Sequence, residues 1–230
     1  MATWIKICGL TNFNDAALAV TLGADALGFV LHRPSRRFCT LDVARSVIRE
    51  FSGRVITVGV WLDESPGIVM ETARFVGCQW VQTYSPVTAK ELQAAGLNVL
   101  PAIPLAGELA ERRLWRSFCQ TWSGRVMMDR SRSMEETEAS SSQNERCAGN
   151  ERVAEWMAPN RTILAGGLNP ATIRSELATH RPAGVDVASG VESHPGRKCP
   201  EKLARFIKEV RQWDATDSLA ASADNSCPRP

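Results

Sequence analysis

The sequence has little of what marks membrane proteins, nucleic-acid-binding proteins or secreted proteins. Its 230 residues include no run close to the roughly 20 apolar residues that span a bilayer, and the first residues lead into a strand without a signal-peptide core. The formal net charge is only +2 and the basic residues are dispersed, so neither nucleic acid nor an anionic membrane surface is an expected partner. We therefore expect a soluble protein of the cytoplasm that binds neither.

Metal-binding patterns are also missing. The seven cysteines, at positions 8, 39, 78, 119, 147, 199 and 227, include no Cys-x-x-Cys pair, which argues against zinc and against a disulfide framework. The three histidines, His32, His180 and His194, are scattered along the chain, and none has a recognisable nucleophile partner. We predict reduced thiols and no metal site.

What the sequence does have is an alternation of short apolar runs with helical segments, and 44% hydrophobic residues suffice for a full core. Strands are predicted at 4–7, 26–30, 55–61, 80–83, 98–103, 125–128, 161–164 and 185–187. Helices are predicted at 16–22, 41–51, 66–77, 88–95, 108–122, 153–157, 169–179 and 200–213. This alternation predicts an α/β fold, a single-domain (β/α)8 TIM barrel over residues 1–213, with a doubly wound open sheet as the alternative.

Two segments depart from the alternation. Residues 131–150 are rich in Ser, Glu and Asn and nearly free of large apolar residues, so we predict a mobile polar insertion after the sixth strand. Residues 214–230 are polar or small, and we predict a disordered C-terminal tail. The predicted organisation is therefore one barrel domain followed by a tail.

Two reactive side chains end predicted strands. Cys8 follows the first strand, and Asp129 ends the sixth. The carboxyl ends of the strands carry the chemistry of a parallel barrel, so a thiol and a carboxyl there can act as base and acid. The alternatives are a small buried hydrophobic residue for Cys8, and a carboxylate paired with Arg130 or Arg132 for Asp129.

Glycine-bearing turns follow the seventh and eighth strands, at Gly166-Gly167 and Ser189-Gly190. Glycine lets backbone amides approach an anion, and the loops after these two strands of a barrel often form one phosphate site. Either turn alone is also explained as a tight turn, but the two together predict a phosphorylated small molecule as ligand. Arg37, after the second strand, is either a bidentate partner for a substrate carboxylate or a solvated arginine. Asp186, in the eighth strand, is interpreted as a structural residue paired inside the barrel.

Six motifs in a fixed order carry a family resemblance. They are Lys6-Ile7-Cys8-Gly9-Leu10-Thr11, Gly23-Ala24-Asp25 with Gly28-Phe29-Val30, Ser35-Arg36-Arg37, Val58-Gly59-Val60, Leu164-Ala165-Gly166-Gly167-Leu168-Asn169-Pro170, and Gly184-Val185-Asp186-Val187-Ala188-Ser189-Gly190-Val191-Glu192. Together they resemble phosphoribosylanthranilate isomerase, the (β/α)8 enzyme of tryptophan biosynthesis. The first and last motifs are highly specific.

The resemblance implies an Amadori rearrangement of N-(5-phosphoribosyl)anthranilate to 1-(2-carboxyphenylamino)-1-deoxyribulose 5-phosphate, without cofactor or metal. By matching position, Asp129 protonates the ring oxygen and Cys8 removes the proton from C2 of the sugar. A thiol with a pKa of about 8.5 needs only a small depression of that pKa to act as a thiolate. Arg37 is implied in binding the anthranilate carboxylate. The residues implied in binding the phosphate are Gly166, Gly167, Ser189 and Gly190. We expect a monomer or homodimer that binds this small phosphorylated molecule.

Four positions depart from the family's pattern. Gln82-Thr83-Tyr84-Ser85 stands where the family usually has Gln-Leu-His-Gly, and the polar stretch 131–150 replaces a glycine-rich segment that helps to enclose substrate. Arg130 beside Asp129 would weaken that carboxyl as an acid if it lay near enough. Cys199 replaces an aspartate before the last helix, which predicts a lost cap. The altered loops leave two alternatives, an isomerase of another phosphorylated aminoaldose and a non-catalytic relic that binds a phosphate ligand.

Overall fold

Eight parallel strands close into a barrel in the order of the chain. The computed structural model describes residues 2–106, 109–133 and 158–224. The barrel strands are β1 (Trp4–Ile7), β2 (Ala26–Val30), β3 (Ile56–Val60), β4 (Trp80–Thr83), β5 (Asn98–Ala106), β6 (Val126–Ser133), β7 (Thr162–Ala165) and β8 (Gly184–Val187). Because β1 pairs in parallel with both β2 and β8, the predicted (β/α)8 barrel is confirmed and an open doubly wound sheet is excluded.

Seven α-helices connect the strands in the described part of the chain. They are α1 (Phe13–Thr21), α2 (Leu41–Phe51), α3 (Pro66–Val76), α4 (Pro86–Ala94), α5 (Leu109–Thr121), α6 (Ile173–His180) and α7 (Pro200–Asp224). None of them is long and apolar enough to cross a membrane. The helix predicted at 153–157 and most of the predicted polar insertion lie outside the described residues, while 131–133 belong to β6.

Local sequence signals explain where several helices begin and end. The Asn12 side chain caps α1 by accepting a hydrogen bond from the backbone N–H of Asp15 at 3.0 Å. Pro66 and Pro86 occupy the first turns of α3 and α4, where a proline costs no helical hydrogen bond. Gly77, with a φ of 76°, ends α3 in the left-handed conformation that glycine adopts without strain.

Two helix boundaries differ from those predicted. α6 begins at Ile173, not at 169, because the Asn169 side chain accepts a hydrogen bond from the Ala171 N–H at 2.9 Å and 170–172 form a turn. α7 continues to Asp224, so the domain boundary predicted after residue 213 falls inside a helix. The Asp214 carboxylate anchors this extension by accepting hydrogen bonds from the N–H and hydroxyl of Thr3, at 3.0 and 2.5 Å. The remaining tail, 225–230, lies outside the described residues.

The hydrophobic core has two large layers and a smaller third cluster. The outer layer lies between strands and helices and includes Ile5 and Ile7 of β1. The inner layer fills the amino-terminal end of the barrel and includes Trp4 of the same strand. Because side chains alternate along a strand, Lys6 and Cys8 share the interior face with Trp4. Toward the carboxyl ends of the strands the interior therefore combines the charged Lys6 with a small apolar cluster of Cys8, Val30 and Val60.

Candidate active site

Cys8 lies inside the carboxyl-terminal end of the barrel, directly after β1. Its N–H donates to the carbonyl of Val187 at 2.9 Å, and the residue is 7% exposed. Gly28 of β2 makes room for it, since a Cβ added there would lie 2.8 Å from Cys8 Sγ and 3.0 Å from Lys6 Nζ. The thiol and the ammonium group therefore pack side by side against a strand that has no side chain at that level.

Burial governs the ionisation of the Cys8 thiol. Removal from water raises the pKa of Cys8, and the charge of Asp186 adds to the rise, while the ammonium groups of Lys6 and Lys198 oppose it. The net direction is upward, opposite to the small depression considered from the sequence. In the substrate-free protein the thiol form is favoured.

A chain of hydrogen bonds crosses the barrel interior and ends at Asp129. Lys6 is fully buried, and its Nζ donates to Asp186 Oδ1 at 2.8 Å and to Gln82 Oε1 at 3.0 Å. Gln82 Nε2 donates to Tyr84 Oη at 3.3 Å, and Tyr84 Oη donates to Asp129 Oδ2 at 2.9 Å. The predicted pairing of Asp186 inside the barrel is confirmed, and the chain joins β8, β1, β4 and β6.

Asp129 and its neighbour Arg130 serve different parts of the structure. Asp129 is 6% exposed, and β6 continues past it to Ser133. Arg130 Nη1 donates to Glu176 Oε2 on α6 at 2.8 Å, and its Nη2 donates to the carbonyl of Gly166 at 3.3 Å. Successive residues of a strand face opposite sides, so Arg130 stabilises the connection between β7 and α6.

Arg37 takes part in an ion-pair network next to the thiol. Its Nε and Nη2 form a bidentate contact with the Glu192 carboxylate, at 2.8 to 3.1 Å. Glu192 also accepts from Lys198 Nζ at 3.1 Å, and Lys198 Nζ donates to the carbonyl of Cys8 at 2.6 Å. Among the described residues Arg37 Nη1 has no hydrogen-bond partner, so the Nη1–Nη2 edge of the guanidinium can meet a ligand carboxylate.

Glu192 and Lys198 reach this network from a short antiparallel hairpin after β8, formed by β9 (Glu192–His194) and β10 (Arg197–Lys198). Gly9 lets Arg37 approach from the other side, because a Cβ at Gly9 would lie 2.7 Å from Arg37 Cδ. With a φ of 74°, Gly9 also has the left-handed conformation that turns the chain sharply after β1.

The loop after β8 packs directly on the loop after β7. Ser189 and Gly190 begin a short 3-10 turn (Ser189–Val191). A Cβ added at Gly190 would lie 1.8 Å from the carbonyl oxygen of Leu168, so no side chain fits between the two loops. The predicted proximity of the two glycine-bearing turns is therefore present in the structure.

Gly166 and Gly167 both have the left-handed conformation, with φ values of 89° and 73°. Their carbonyl oxygens accept side-chain hydrogen bonds. Within the described part of the chain, their N–H groups have no hydrogen-bond partner. Adjacent unpaired N–H groups of this kind suit an anion such as a phosphate.

His32 belongs to a separate group at the ends of β2 and β3. Its Nδ1 lies 2.9 Å from Glu64 Oε1 and 3.1 Å from Asp63 Oδ1. Over residues 2–106, 109–133 and 158–224, no other group of three His, Cys, Asp or Glu residues has its ligand atoms within 4.8 Å of one another. Hydrogen bonds of ordinary length explain the arrangement.

Sequence reasoning missed the residues that support the candidate acid, base and arginine. Lys6 did carry a signal, since a charged residue in a buried strand two positions before Cys8 shares its face and needs a partner. Tyr84 is noted from the sequence only as part of 82–85, one of the stretches that depart from the resemblance. Glu192 and Lys198 carry no such signal, because only the folded hairpin brings them to Arg37.

Comparisons with known proteins extend these observations. A family model described as N-(5′-phosphoribosyl)anthranilate (PRA) isomerase matches residues 5–209. The N-(5′-phosphoribosyl)anthranilate isomerase of Desulforudis audaxviator is 35% identical over 217 residues, which cover 91% of this chain and 98% of that protein.

Solved structures give the same result. One is a phosphoribosyl anthranilate isomerase in complex with reduced 1-(o-carboxyphenylamino)-1-deoxyribulose 5-phosphate, with a TM-score of 0.71 and 27% identity, covering 91% of this chain and 99% of that one. Another contains monomers generated from the dimeric phosphoribosylanthranilate isomerase of Thermotoga maritima, with a TM-score of 0.73 and 27% identity, covering 91% and 98%.

Proposed function

The chain belongs to the N-(5′-phosphoribosyl)anthranilate isomerase family, and from that premise we propose how its own residues carry out the reaction. The reaction is the Amadori rearrangement of N-(5-phosphoribosyl)anthranilate to 1-(2-carboxyphenylamino)-1-deoxyribulose 5-phosphate, a step of tryptophan biosynthesis. The substrate therefore offers a phosphate at one end and an aromatic carboxylate at the other.

Asp129 is the proposed general acid. Its carboxyl gives a proton to the ring oxygen of the ribose, the bond from that oxygen to C1 breaks, and the nitrogen lone pair completes the C=N bond of a protonated Schiff base. Two observations support this role. Asp129 lies at the carboxyl end of the barrel, where side chains from different strands converge, and Tyr84 holds one of its oxygens.

Cys8 is the proposed base. Its thiolate removes the proton from C2, and the electron pair of that C–H bond moves toward the iminium nitrogen to give an enolamine, which tautomerises to the ketone. Although burial raises the pKa of Cys8 in the free protein, the positive charge of the Schiff base lowers that pKa once it forms nearby, and the thiol releases its proton to water to give the thiolate. The iminium also acidifies the C2 proton, so a moderate base suffices.

Binding is assigned to the two ends of the substrate. The Nη1–Nη2 edge of Arg37 is proposed to hold the anthranilate carboxylate, while Glu192 fixes the opposite edge of the guanidinium. The phosphate is proposed to bind the backbone N–H groups at the two touching loops after β7 and β8. These groups belong to Gly166, Gly167, Ser189 and Gly190.

The cellular location and the oligomeric state are proposed from the reaction and from a solved relative. We propose a cytoplasmic protein, since the reaction belongs to amino-acid biosynthesis, that acts as a monomer or a homodimer. The dimer is supported by the dimeric enzyme of Thermotoga maritima, at 27% identity. Size-exclusion chromatography with light scattering distinguishes the two states.

The observation that carries the assignment of roles is that the buried thiol of Cys8 and the buried carboxyl of Asp129 both lie at the carboxyl end of the barrel interior, and that the network around Arg37 reaches the backbone of Cys8 through Lys198. The test follows the fall of anthranilate-type fluorescence when the protein meets freshly generated phosphoribosylanthranilate. Cys8→Ser and Asp129→Asn should each lower kcat by about 10² to 10⁴-fold, the usual contribution of one positioned acid or base.

Cys119→Ser is the matched control, because Cys119 is a buried thiol on α5, outside the site. Its kcat should stay within about twofold of the parent value. Near-normal turnover by both site variants would overturn the assigned roles. Ligand binding by the parent protein without any turnover would instead favour a phosphate-binding relic.

A further inference from the structure

We propose that Tyr84 positions the carboxyl group of Asp129 for proton transfer, an inference that rests on the proposed role of Asp129 as the acid. Tyr84 directly follows β4, and its hydroxyl donates to Asp129 Oδ2 at 2.9 Å. Because β5 separates β4 from β6, this contact reaches across the barrel rather than along a neighbouring strand. Tyr84 is a positioning residue that acts through Asp129.

The direction of each hydrogen bond in the chain is determined by chemistry. A lysine ammonium has no acceptor, so Gln82 must turn its Oε1 toward Lys6. The amide NH₂ of Gln82 then donates to Tyr84 Oη at 3.3 Å, so the hydroxyl oxygen acts as the acceptor of this bond. The phenolic hydrogen is consequently directed to Oδ2 of Asp129, which can accept it both in the carboxylate and as the carbonyl oxygen of the protonated acid.

This directed bond fixes the plane of the carboxyl group. The terminal torsion of an aspartate is broad and only loosely held by its own rotamer preferences. In a residue that is 6% exposed, a hydroxyl bound to one oxygen restrains that torsion with little competition from water. Proton transfer requires the acid within about 2.6–3.2 Å of the receiving oxygen, so restraint of this torsion contributes directly to rate.

Two substitutions at Tyr84 test the hydrogen bond itself. Histidine, like tyrosine, can donate a hydrogen bond to a carboxylate, whereas phenylalanine retains the ring of tyrosine and loses the donor. The pair Tyr84→Phe and Tyr84→His therefore separates the hydrogen bond from the volume of the side chain.

The kinetic test compares these variants with the parent. Tyr84→Phe should lower kcat about tenfold, which corresponds to about 1.4 kcal/mol, and should leave KM within about twofold. For Tyr84→His, the logarithm of kcat should lie at least halfway from the Tyr84→Phe value back to the parent value. An unchanged kcat in Tyr84→Phe would overturn the proposal.

A double-mutant cycle tests whether Tyr84 acts through Asp129. In an Asp129→Asn background, measured at high enzyme concentration, Tyr84→Phe should lower the residual rate by less than about twofold. The same tenfold loss in both backgrounds would show an independent effect and would overturn the proposal.

A spectroscopic readout does not depend on turnover. Tyr84 is the single tyrosine of the 230-residue chain, so ¹³Cζ-tyrosine labelling gives one NMR signal from this hydroxyl. Asp129→Asn should shift that signal in the ligand-free protein, and Glu209→Gln, on α7 and paired with the exposed Arg174, should leave it unchanged. An unchanged signal in Asp129→Asn would overturn the contact.

The outcomes of these tests are distinguishable from a failure of the proposed function. If Asp129→Asn turned over normally, Asp129 would not be the acid, although the NMR shift would still establish the contact. If Asp129→Asn were inactive while Tyr84→Phe had full activity, Asp129 would remain the assigned acid and the positioning role of Tyr84 would be overturned.

Discussion

At the scale of single residues, Lys6 in β1 is an ammonium group without access to water. Burial alone would lower the pKa of Lys6, but the charge and hydrogen bond of Asp186, together with the neighbouring Cys8, outweigh burial, so its pKa lies above the ordinary value. A buried charge is tolerated when it is paired and hydrogen-bonded, and Asp186 and Gln82 provide both. Lys6 thereby fixes the start of the chain of hydrogen bonds that ends at Asp129.

Glu192 makes the network around Arg37 sensitive to acid. Burial acts to raise the pKa of Glu192, but the hydrogen bonds and charges of Arg37 and Lys198 outweigh it and hold that pKa below the ordinary value. A carboxyl with a lowered folded-state pKa contributes stability above the unfolded-state value, about 4.3 for Glu. That contribution is lost as the pH falls through the folded-state value.

We expect Glu192→Gln to lower the unfolding free energy at pH 7 by about 3 kcal/mol, because Lys198 is left buried without the carboxylate that pairs with it. The difference from the parent protein should shrink as the pH falls below about 4. Urea unfolding across this pH range measures it. Glu209→Gln, whose partner Arg174 is exposed, serves as control and should change stability by less than about 1 kcal/mol. A difference for Glu192→Gln that did not vary with pH would contradict the prediction.

At the scale of elements, α7 ties the end of the described chain to the start of the barrel. Arg211 donates to the carbonyl of Thr3 at 2.6 Å and to the carboxylate of Asp25 at 2.7 Å. Asp214, one turn further along, accepts from both the N–H and the hydroxyl of Thr3. Because Thr3 immediately precedes β1, these bonds hold the strand at which the barrel closes.

Truncation after Trp213 should lower the unfolding free energy by about 2 kcal/mol, because it removes the charged acceptor of two hydrogen bonds to Thr3. For a domain of this size the melting temperature should fall by about 4–8 °C. Truncation after Asp224 keeps Asp214 and should leave the melting temperature unchanged. Equal melting temperatures for the two truncations would show that residues 214–224 do not stabilise the barrel.

At the scale of the whole molecule, closure of the barrel depends on the close approach of β8 to β1. Gly184 is in register with Trp4, and a Cβ at Gly184 would lie 2.7 Å from the carbonyl oxygen of Trp4. Since that neighbour is backbone, it cannot move without displacing β1. The absence of a side chain at Gly184 is therefore a requirement of closure.

We expect Gly184→Ala to lower the unfolding free energy by about 1–3 kcal/mol, the usual cost of overpacking. Gly67→Ala is the matched control, because a Cβ there meets no atom within 4 Å on the exposed face of α3, and it should stabilise by about 0.5–1 kcal/mol. Denaturant unfolding of the two variants gives both values. A Gly184→Ala variant as stable as the parent would show that the backbones of β1 and β8 can move apart without loss of stability.

The sequence by itself determined the fold class and the positions of most elements. The predicted bounds of β2 (Ala26–Val30), α2 (Leu41–Phe51) and β4 (Trp80–Thr83) are those of the structure. Apolar runs and helical spacing are local properties, so the sequence displays them directly. The position of Cys8 after β1 follows for the same reason, and so does the glycine-bearing turn after each of the last two barrel strands.

Only the tertiary structure decided which side chains meet. Lys6 and Gln82 are 76 residues apart, Tyr84 and Asp129 are 45 apart, and Arg37 and Glu192 are 155 apart. Bonds over such separations leave no periodic pattern in the sequence, because they depend on how the strands are arranged around the barrel. The same reason explains the end of α7, a polar segment that continues as a helix where Asp214 binds Thr3 and Asp217 pairs with Arg181. Local preference selects the type of each segment, whereas barrel closure selects the partners of each side chain.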